Sequence, residues 1–369
     1  MKFLQVSEES LNEGAEIIKN GGLVAFPTET VYGLGADAFN PLAIAKVFEA
    51  KNRPHFDPLI IHIAKIETLD EAADLSLLNK ETRKKLFLLA EKFWPGPLSI
   101  ILPKNKKIPD IATAGLQTAA IRMPDNETAL KLISLSTGAI AAPSANPFGS
   151  LSPTRAEHVR EGLGEKIDLI LDGGQSRIGV ESTVLDISGG SIKILRPGGT
   201  PREAIFQITG IRGQETEIRI TNVECKMTNI ECGIRNEGLG IESREPGVMY
   251  NSPGMLKSHY APKARLFVMN KDEIIKQDCK IEDSTDQKTA FLFFDAETRE
   301  AWRYAQMPRD NVIIKTLSES GSIVEAASQL FELLHELDSC GVCRIYAQKA
   351  PAQGLGEAIN DRLRRGAGV

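Results

Sequence analysis

The sequence predicts an α/β protein with two domains joined by a long connector. Short apolar runs alternate with segments of helical periodicity in residues 1–209, and the alternation returns in residues 263–369. Residues 210–262 are polar and show little periodicity, which is typical of an interdomain linker. A chain of 369 residues also exceeds what one hydrophobic core usually serves. We therefore predict domains at 1–209 and 263–369.

Local signals predict the elements of the first domain. Ser10 and Glu13 have the spacing of a capping box, and their helix is expected to end at Gly21-Gly22. Asn40, followed by proline, predicts the start of a second helix. Apolar runs predict strands at residues 23–26, 59–63, 98–102, 119–122, 139–142, 167–171, 183–187 and 192–195. Helical patterns predict helices at residues 81–93, 127–135, 155–161 and 201–208. The glycine-punctuated stretch after residue 26 is expected to be a polar loop.

The second domain has a more regular pattern. Strands are predicted at residues 265–269, 290–294, 312–315 and 344–347, with helices between them. The clearest helix is 323–337, where apolar residues keep helical spacing. This pattern predicts a small doubly wound domain. Its first strand is not followed by GxGxxG, so we expect no dinucleotide site.

Composition argues against several classes of protein. A net charge of −5 disfavours nucleic-acid binding through bulk electrostatics. The sequence has no apolar run that could span a bilayer, and its N-terminus lacks an apolar signal core, so we expect a cytoplasmic protein. The odd number of cysteines, five, does not suggest a disulfide framework. Cys340 and Cys343 form a CxxC motif, but no matching second pair predicts a zinc site.

Polar and basic side chains recur at the ends of the predicted strands. In chain order they are Thr30, Arg122, Ser144, Asn146, Ser182 and Arg196. Lys51 and Arg53 add a basic pair after the second helix, and two cations this close repel unless an anion lies between them. Because α/β folds bind ligands at strand ends, the set predicts a cavity for a phosphorylated ligand. Each feature alone also fits a turn or a solvated helix end. His62 fits either the core or this cavity.

Familiar catalytic motifs are missing from the sequence. It contains neither a GxxxxGK[ST] phosphate loop nor a GxSxG nucleophile elbow, so Ser144 has no predicted base. No HExxH motif or similar cluster predicts a metal held by the protein.

Seven short motifs carry a resemblance to a known superfamily. FPTETVYGLGA, KNRP, PLIIH, AAIRMP, PSAN, ESTV and LRPG occur in the order and with the spacing of YrdC-like proteins. The later SPGMLKSHYAP, followed by an α/β domain, resembles the two-domain form of the L-threonylcarbamoyladenylate synthases. The resemblance implies a YrdC-like mixed twisted sheet with helices around an open cavity, then a Rossmann-like C-terminal domain.

The resemblance also implies an activity. Such enzymes make threonylcarbamoyl-AMP and pyrophosphate from L-threonine, bicarbonate and ATP, with Mg²⁺ held mainly by the phosphates. The adenylate passes to a tRNA-modifying transferase complex, which makes threonylcarbamoyladenosine in ANN-decoding tRNAs. Weak contact with RNA is an option, and contact with a membrane is not expected.

By resemblance, the site residues divide between two substrates. The threonine-binding residues are Thr30, His62, Arg122, Ala142 and Ser182. The ATP-binding residues are Lys51, Arg53, Asp57, Thr118, Ser144, Asn146, Ser152, Arg196 and Tyr260. The catalytic residues among them are Lys51, Arg53, Ser144 and Asn146. The motif at 252–262 is expected to act as a lid over the cavity, or else as a rigid spacer.

Two positions depart from the family pattern. Asp57 replaces an Asn that is common in relatives, so it either helps to hold magnesium or contributes only its backbone. Ser258 stands where relatives often have Lys or Arg.

Three other functions fit parts of the sequence. An RNA-binding YrdC-like module without adenylation activity is the main alternative, although the acidic total and the lack of interleaved aromatic and basic residues disfavour it. A carbamoyl-phosphate-using relative would usually carry zinc-finger modules, which this sequence lacks. A regulatory nucleotide-binding protein is the third.

Overall fold

The predicted fold class is confirmed, because the chain forms a mixed α/β structure with two separate sheets. The computed structural model describes residues 1–189, 191–210, 259–277, 288–306 and 311–368. Within these residues, a 10-stranded mixed sheet is built from strands before residue 210, and a 4-stranded parallel sheet from strands after residue 264.

The first sheet is long and mixed. Its strands are β1 (Lys2–Gln5), β2 (Val24–Phe26), β3 (Gly33–Asp37), β4 (Ile60–Ile63), β5 (Leu98–Pro103), β6 (Thr118–Arg122), β7 (Ala139–Ala141), β8 (Leu169–Asp172), β9 (Thr183–Asp186) and β10 (Lys193–Arg196). Their order across the sheet is β1-β8-β2-β3-β7-β4-β6-β5-β9-β10. The helices of this part are α1 (Glu8–Lys19), α2 (Pro41–Lys51), α3 (Leu69–Ala72), α4 (Lys80–Phe93), α5 (Glu127–Leu135), α6 (Ala156–Leu163) and α7 (Arg202–Thr209).

The second sheet alternates strands and helices as predicted. Its strands are β11 (Arg265–Met269), β12 (Thr289–Asp295), β13 (Val312–Ser318) and β14 (Arg344–Gln348), in the order β11-β14-β12-β13. The helices are α8 (Lys271–Lys276), α9 (Ala296–Ala305), α10 (Ile323–Ser339) and α11 (Gly356–Gly366). Among the described helices of both sheets, none combines the length and the apolar character that crossing a membrane requires.

Helix α1 begins earlier than the sequence predicts. Its N-cap is Ser7, whose side chain accepts from the backbone N–H of Ser10, while the Ser10 hydroxyl accepts from the N–H of Ser7. The capping box therefore joins Ser7 and Ser10 rather than Ser10 and Glu13. Two serines satisfy both orphan N–H groups at this end, so no glutamate is needed.

The predicted polar loop after β2 contains a strand. Gly33–Asp37 forms β3, which pairs antiparallel with β2 and with β7. A Cβ at Gly35 would lie 2.8 Å from the ring of Phe26 and 2.9 Å from Ile140. The glycines here permit close packing in the sheet rather than a turn. The two roles look alike in the sequence, because both require a residue without a side chain.

The two sheets share one apolar cluster at the domain interface. Val31, Leu151 and Val180 of the first domain are buried in the same cluster as Leu330 and Phe331 of α10. The second domain therefore packs directly against loops of the first sheet.

Most of the predicted linker lies outside the described residues. Residues 211–258, which include Ser258 and the first part of the SPGMLKSHYAP motif, are among those not described. His259 and the residues after it in the motif are described.

Candidate active site

A cavity lies where several strands of the first sheet begin or end. Its empty volume, including space that is open to solvent, is about 520 Å³. The predicted site residues that line it are Thr30, Arg53, His62, Arg122, Ala142, Ser144, Ser182, Arg196 and Tyr260. The predicted site residues outside its lining are Lys51, Asp57, Thr118, Asn146 and Ser152. Residues that are distant in sequence therefore meet around one hollow.

The strand register explains why these residues meet. β4 and β6 are parallel neighbours, with His62 opposite Arg122. β7 runs antiparallel on the other side of β4, and the N–H of Ala142 donates to the carbonyl of Ile60 at 2.9 Å. Because this N–H is occupied, Ala142 offers a ligand its carbonyl and methyl groups only.

Arg122 is buried and held on three sides. Its Nε donates to the carbonyl of Gly96 at 3.2 Å, and Nη1 donates to the Thr30 hydroxyl at 3.0 Å. Nη2 lies 2.5 Å from a carboxylate oxygen of Glu29, and the side chains of Arg122 and Glu29 are 4% and 1% exposed. The contact with Glu29 is an ion pair without hydrogen-bond geometry, so Nε and Nη1 use two of the five N–H donors of the guanidinium and three remain. Glu29 was not predicted as a site residue, because nothing in the sequence pairs it with Arg122.

Arg53 is paired with the unusual aspartate. Its Nη2 lies 2.9 Å from Asp57 Oδ2, and both side chains are almost fully buried. The same guanidinium donates to the carbonyls of Asp57 and Pro58, at 3.1 and 2.9 Å. Thr118 is the first residue of β6, whose Ala120 lies opposite Ile60 of β4.

Lys51 lies behind the cavity wall. It is the last residue of α2, and its Nζ donates to the carbonyls of Ser144 and Asn146. Burial, and next the charge of Arg53, hold the pKa of Lys51 well below its ordinary value. The Asn146 amide donates to the carbonyls of Pro147 and Ser150, while its Oδ1 has no hydrogen-bond partner among the described residues. Lys51 therefore shapes the loop that carries Ser144.

Arg196 joins β10 to the start of β9. Its Nε and Nη2 donate to the Ser182 carbonyl at 3.2 and 2.9 Å, and Nη2 also reaches Ser182 Oγ at 3.2 Å. Nη1 lies 3.5 Å from the hydroxyl of Tyr260. The Ser182 hydroxyl is in addition 2.8 Å from that of Ser99.

His259 and Tyr260 complete the lining from the far end of the linker. The Tyr260 ring is 2% exposed, and burial is the main cause that raises the pKa of its hydroxyl. Burial, and then the charges of Arg53 and Lys51, hold the pKa of His259 well below its usual range. The N–H of Ala261 donates to the Gly149 carbonyl at 2.9 Å, which ties the motif to the first domain.

His62 is a neutral imidazole inside the cavity. Burial, followed by the charge of Arg122, lowers the pKa of His62 to about 3. Its Nδ1 lies 3.2 Å from the Ile60 carbonyl, and because a carbonyl only accepts, Nδ1 carries the proton. Nε2 is thus the acceptor of the ring.

Ser152 belongs to a buried network that reaches the second domain. Its hydroxyl donates to Glu181, and the other Glu181 oxygen lies 2.6 Å from Arg362 Nε in α11. Neither Glu181 nor Arg362 was predicted, and no local sequence signal connects Arg362 with the first domain. No group of three or more His, Cys, Asp or Glu side chains that could hold a metal ion occurs among the described residues.

Comparisons with known proteins cover both domains. A family model described as "Telomere recombination" matches residues 16–198, and one described as "Threonylcarbamoyl-AMP synthase, C-terminal domain" matches residues 219–368. The threonylcarbamoyl-AMP synthase of Pyrococcus abyssi is 40% identical over 366 residues, which are 99% of this chain and 96% of the relative. The chain belongs to the threonylcarbamoyl-AMP synthase family.

Further matches support the same family. The threonylcarbamoyl-AMP synthase of Bacillus subtilis is 47% identical over 208 residues, 56% of this chain and 58% of the relative. A crystal structure of P. abyssi Sua5 complexed with L-threonine matches with a TM-score of 0.80 and 36% identity, covering 100% of this chain and 96% of that one. The chain is thus an ATP-dependent threonylcarbamoyl-AMP synthase, and the matches favour this activity over the three alternatives.

Proposed function

We propose that the cavity lined by Arg53, Arg122 and Arg196 is where the chain joins L-threonine, bicarbonate and ATP into threonylcarbamoyl-AMP and pyrophosphate. The observation that carries this proposal is the convergence of three buried guanidiniums with Ser144 and Ser182 on one hollow. All the substrates are anionic or carry a carboxylate, and guanidinium groups recognise such groups by paired hydrogen bonds.

The threonine subsite is formed around Arg122. Its N–H donors that make no hydrogen bond, on Nη1 and Nη2, suit a bidentate contact with the amino acid carboxylate. The neutral Nε2 of His62 is an acceptor for the hydroxyl or the amine of threonine. Thr30, the Ala142 carbonyl and Ser182 complete this subsite.

The ATP subsite is formed around Arg53 and Arg196, with Ser144 and Tyr260 beside them. Lys51 and Asn146 act from behind, because they hold the backbone that presents Ser144. Thr118 and Ser152 lie at its edge and contribute to it. We assign Asp57 a positioning role, since its carboxylate and its carbonyl both contact Arg53.

Less free positive charge surrounds the cavity than the sequence suggests. Arg53 is paired with Asp57 and Arg122 with Glu29, so two of the cations are already neutralised. Buried charges of one sign would be costly without such partners. The site therefore depends on directed N–H donors more than on net charge.

The reaction needs positioning rather than a protein nucleophile. The threonine amine attacks bicarbonate, which releases water and leaves a carbamate. A carbamate oxygen then attacks the α-phosphorus of ATP, the bond to the β-phosphate oxygen breaks, and pyrophosphate leaves. Displacements of this kind are accelerated mainly by alignment and charge stabilisation. Because carbamates decompose in water, His259 and Tyr260 are suited to exclude it.

Magnesium would enter with ATP. The described residues offer no carboxylate cage, and Asp57 is engaged by Arg53, so phosphate oxygens would supply most ligands.

The product would serve a transferase complex that modifies ANN-decoding tRNAs in the cytoplasm. We also propose that residues 1–209 form the catalytic domain, residues 210–262 the linker and residues 263–369 the C-terminal domain.

The test is an assay of pyrophosphate and AMP. The protein is incubated with ATP, Mg²⁺, bicarbonate and L-threonine, and each component is omitted in turn. We expect pyrophosphate that depends on threonine, with no ADP, and its loss when EDTA removes divalent ions. L-Serine, which lacks the methyl group, should compete weakly. RNA binding with steep salt dependence but no turnover of ATP would refute the proposal.

A further inference from the structure

Arg362 is a buried cation that the second domain inserts beside the cavity. It lies in α11 and is 1% exposed. Its Nε is 2.6 Å from Glu181 Oε2, and its Nη1 donates to the Pro197 carbonyl at 2.9 Å. Its Cζ lies 5.1 Å from the centre of the Tyr260 ring, within the range of a cation–π contact.

Each of these three neighbours either lines the cavity or is adjacent in the chain to a residue that we assign to substrate binding. Glu181 precedes Ser182 in the chain and accepts the Ser152 hydroxyl. Pro197 follows Arg196, and Tyr260 lines the cavity. One guanidinium thus connects the start of β9, the end of β10 and the end of the linker.

The opposite charges of Glu181 and Arg362 stabilise each other in the interface. Burial alone would raise the pKa of Glu181, but Arg362 and then Arg196 outweigh it, so the pKa lies below its ordinary value. Burial would lower the pKa of Arg362, but Glu181 reverses this effect and Asp361 adds to the reversal. Both groups therefore remain charged inside the interface.

We propose that Arg362 is a positioning residue for adenylate synthesis, through which the C-terminal domain aligns Arg196 and Tyr260 around ATP. This proposal rests on the function proposed above. It gives the second domain a part in catalysis, because a guanidinium of α11 contacts Glu181, Pro197 and Tyr260 at once.

The competing interpretation is that Arg362 only fastens the domains together. Arg362→Lys separates the two. A lysine can still neutralise Glu181, but a single ammonium cannot also reach the Pro197 carbonyl and lie flat on the Tyr260 ring. The matched control is Arg364→Lys, the same change at an exposed position of the same helix.

The experiment measures threonine-dependent pyrophosphate formation by the full chain, with kcat and KM for ATP, and threonine binding by calorimetry without ATP. Each variant is assayed well below its melting temperature, so that it is folded. We expect Arg362→Lys to lower kcat/KM for ATP about 10-fold to 100-fold, as a displacement near 1 Å can do. Its Kd for threonine should change less than about threefold, because most of its neighbours serve the ATP side.

Three outcomes would overturn the positioning role, and a fourth concerns the proposed function. Activity of Arg362→Lys within twofold of the unmodified chain would overturn the positioning role. So would equal losses for ATP and threonine, or a loss that matches the unfolded fraction, since either indicates a fastening role. If the unmodified chain forms no threonine-dependent pyrophosphate, that result refutes the proposed function, whatever the role of Arg362.

Discussion

Replacing Arg122 with methionine tests the threonine subsite most directly. Methionine keeps much of the volume but removes the guanidinium, so two charge-assisted hydrogen bonds to the threonine carboxylate are lost. Hydrogen bonds to charged groups contribute about 1.5–3 kcal/mol each, so the pair is worth at least about 3 kcal/mol. Threonine should therefore bind more than about 100-fold more weakly, while ATP binding changes by less than about threefold.

The same substitution also affects folding, and a second variant separates the two effects. Arg122→Met leaves Glu29, 1% exposed, as an unpaired buried charge, which costs about 3–5 kcal/mol of unfolding free energy. Adding Glu29→Gln removes that charge. The double variant should regain most of the stability and none of the affinity for threonine.

Calorimetry with each ligand and denaturation in urea provide both measurements. Equal losses of ATP and threonine affinity in the stable double variant would show that Arg122 does not belong to a threonine subsite. Recovery of threonine binding together with stability would show that the arginine acts only in folding.

Two more predictions concern the lid and the domain interface. Tyr260→Ala should release pyrophosphate in excess of the adenylate formed, because water admitted to the cavity attacks the α-phosphorus of ATP in place of the carbamate and gives AMP and pyrophosphate. Tyr304→Ala, at a residue that is 96% exposed, is the control, and an unchanged ratio of pyrophosphate to adenylate would leave only a spacer role. His158 and His335 stack at the interface with ring centres 3.9 Å apart, and burial, followed by His335, lowers the pKa of His158 to about 3. On acidification the unfolded chain therefore protonates His158 before the folded chain does, and stability should fall as pH drops below about 6.5, by roughly 2 kcal/mol at pH 5. His158→Asn should reduce this dependence in urea titrations by the share of one histidine, because the lowered pKa values of His62 and His259 also contribute to it. His55→Asn, at an exposed position, should leave the dependence unchanged, and a slope that His158→Asn leaves intact would contradict the assignment.

Much of the fold was accessible from local sequence signals. The Asn40 N-cap, the apolar run of β4 and the periodicity of α10 act over a few residues, and the structure has all three. The predictions were wrong where one local pattern is compatible with two structures. Gly33 and Gly35 suggested a loop, yet their lack of side chains serves packing against Phe26 in β3.

Several residues of the candidate site could also be predicted from the sequence. Residues at strand ends meet whenever their strands are neighbours, so Arg122, Ser144 and Arg196 could be grouped from the sequence. Charge pairing could not be foreseen in the same way. Which carboxylate neutralises which guanidinium depends on side-chain directions, and Glu29 and Asp57 were not recognised as partners for this reason.

Local chemistry in the chain was enough to specify the α/β class, the order of elements and the family motifs, because hydrophobic periodicity, caps and short motifs are properties of neighbouring residues. The role of the C-terminal domain was different. Arg362 is 181 residues from Glu181 in the chain, and only packing of one domain on the other brings their charges together. Contacts between residues that far apart are set by the shape of two folded surfaces, and a linear pattern carries no signal for them.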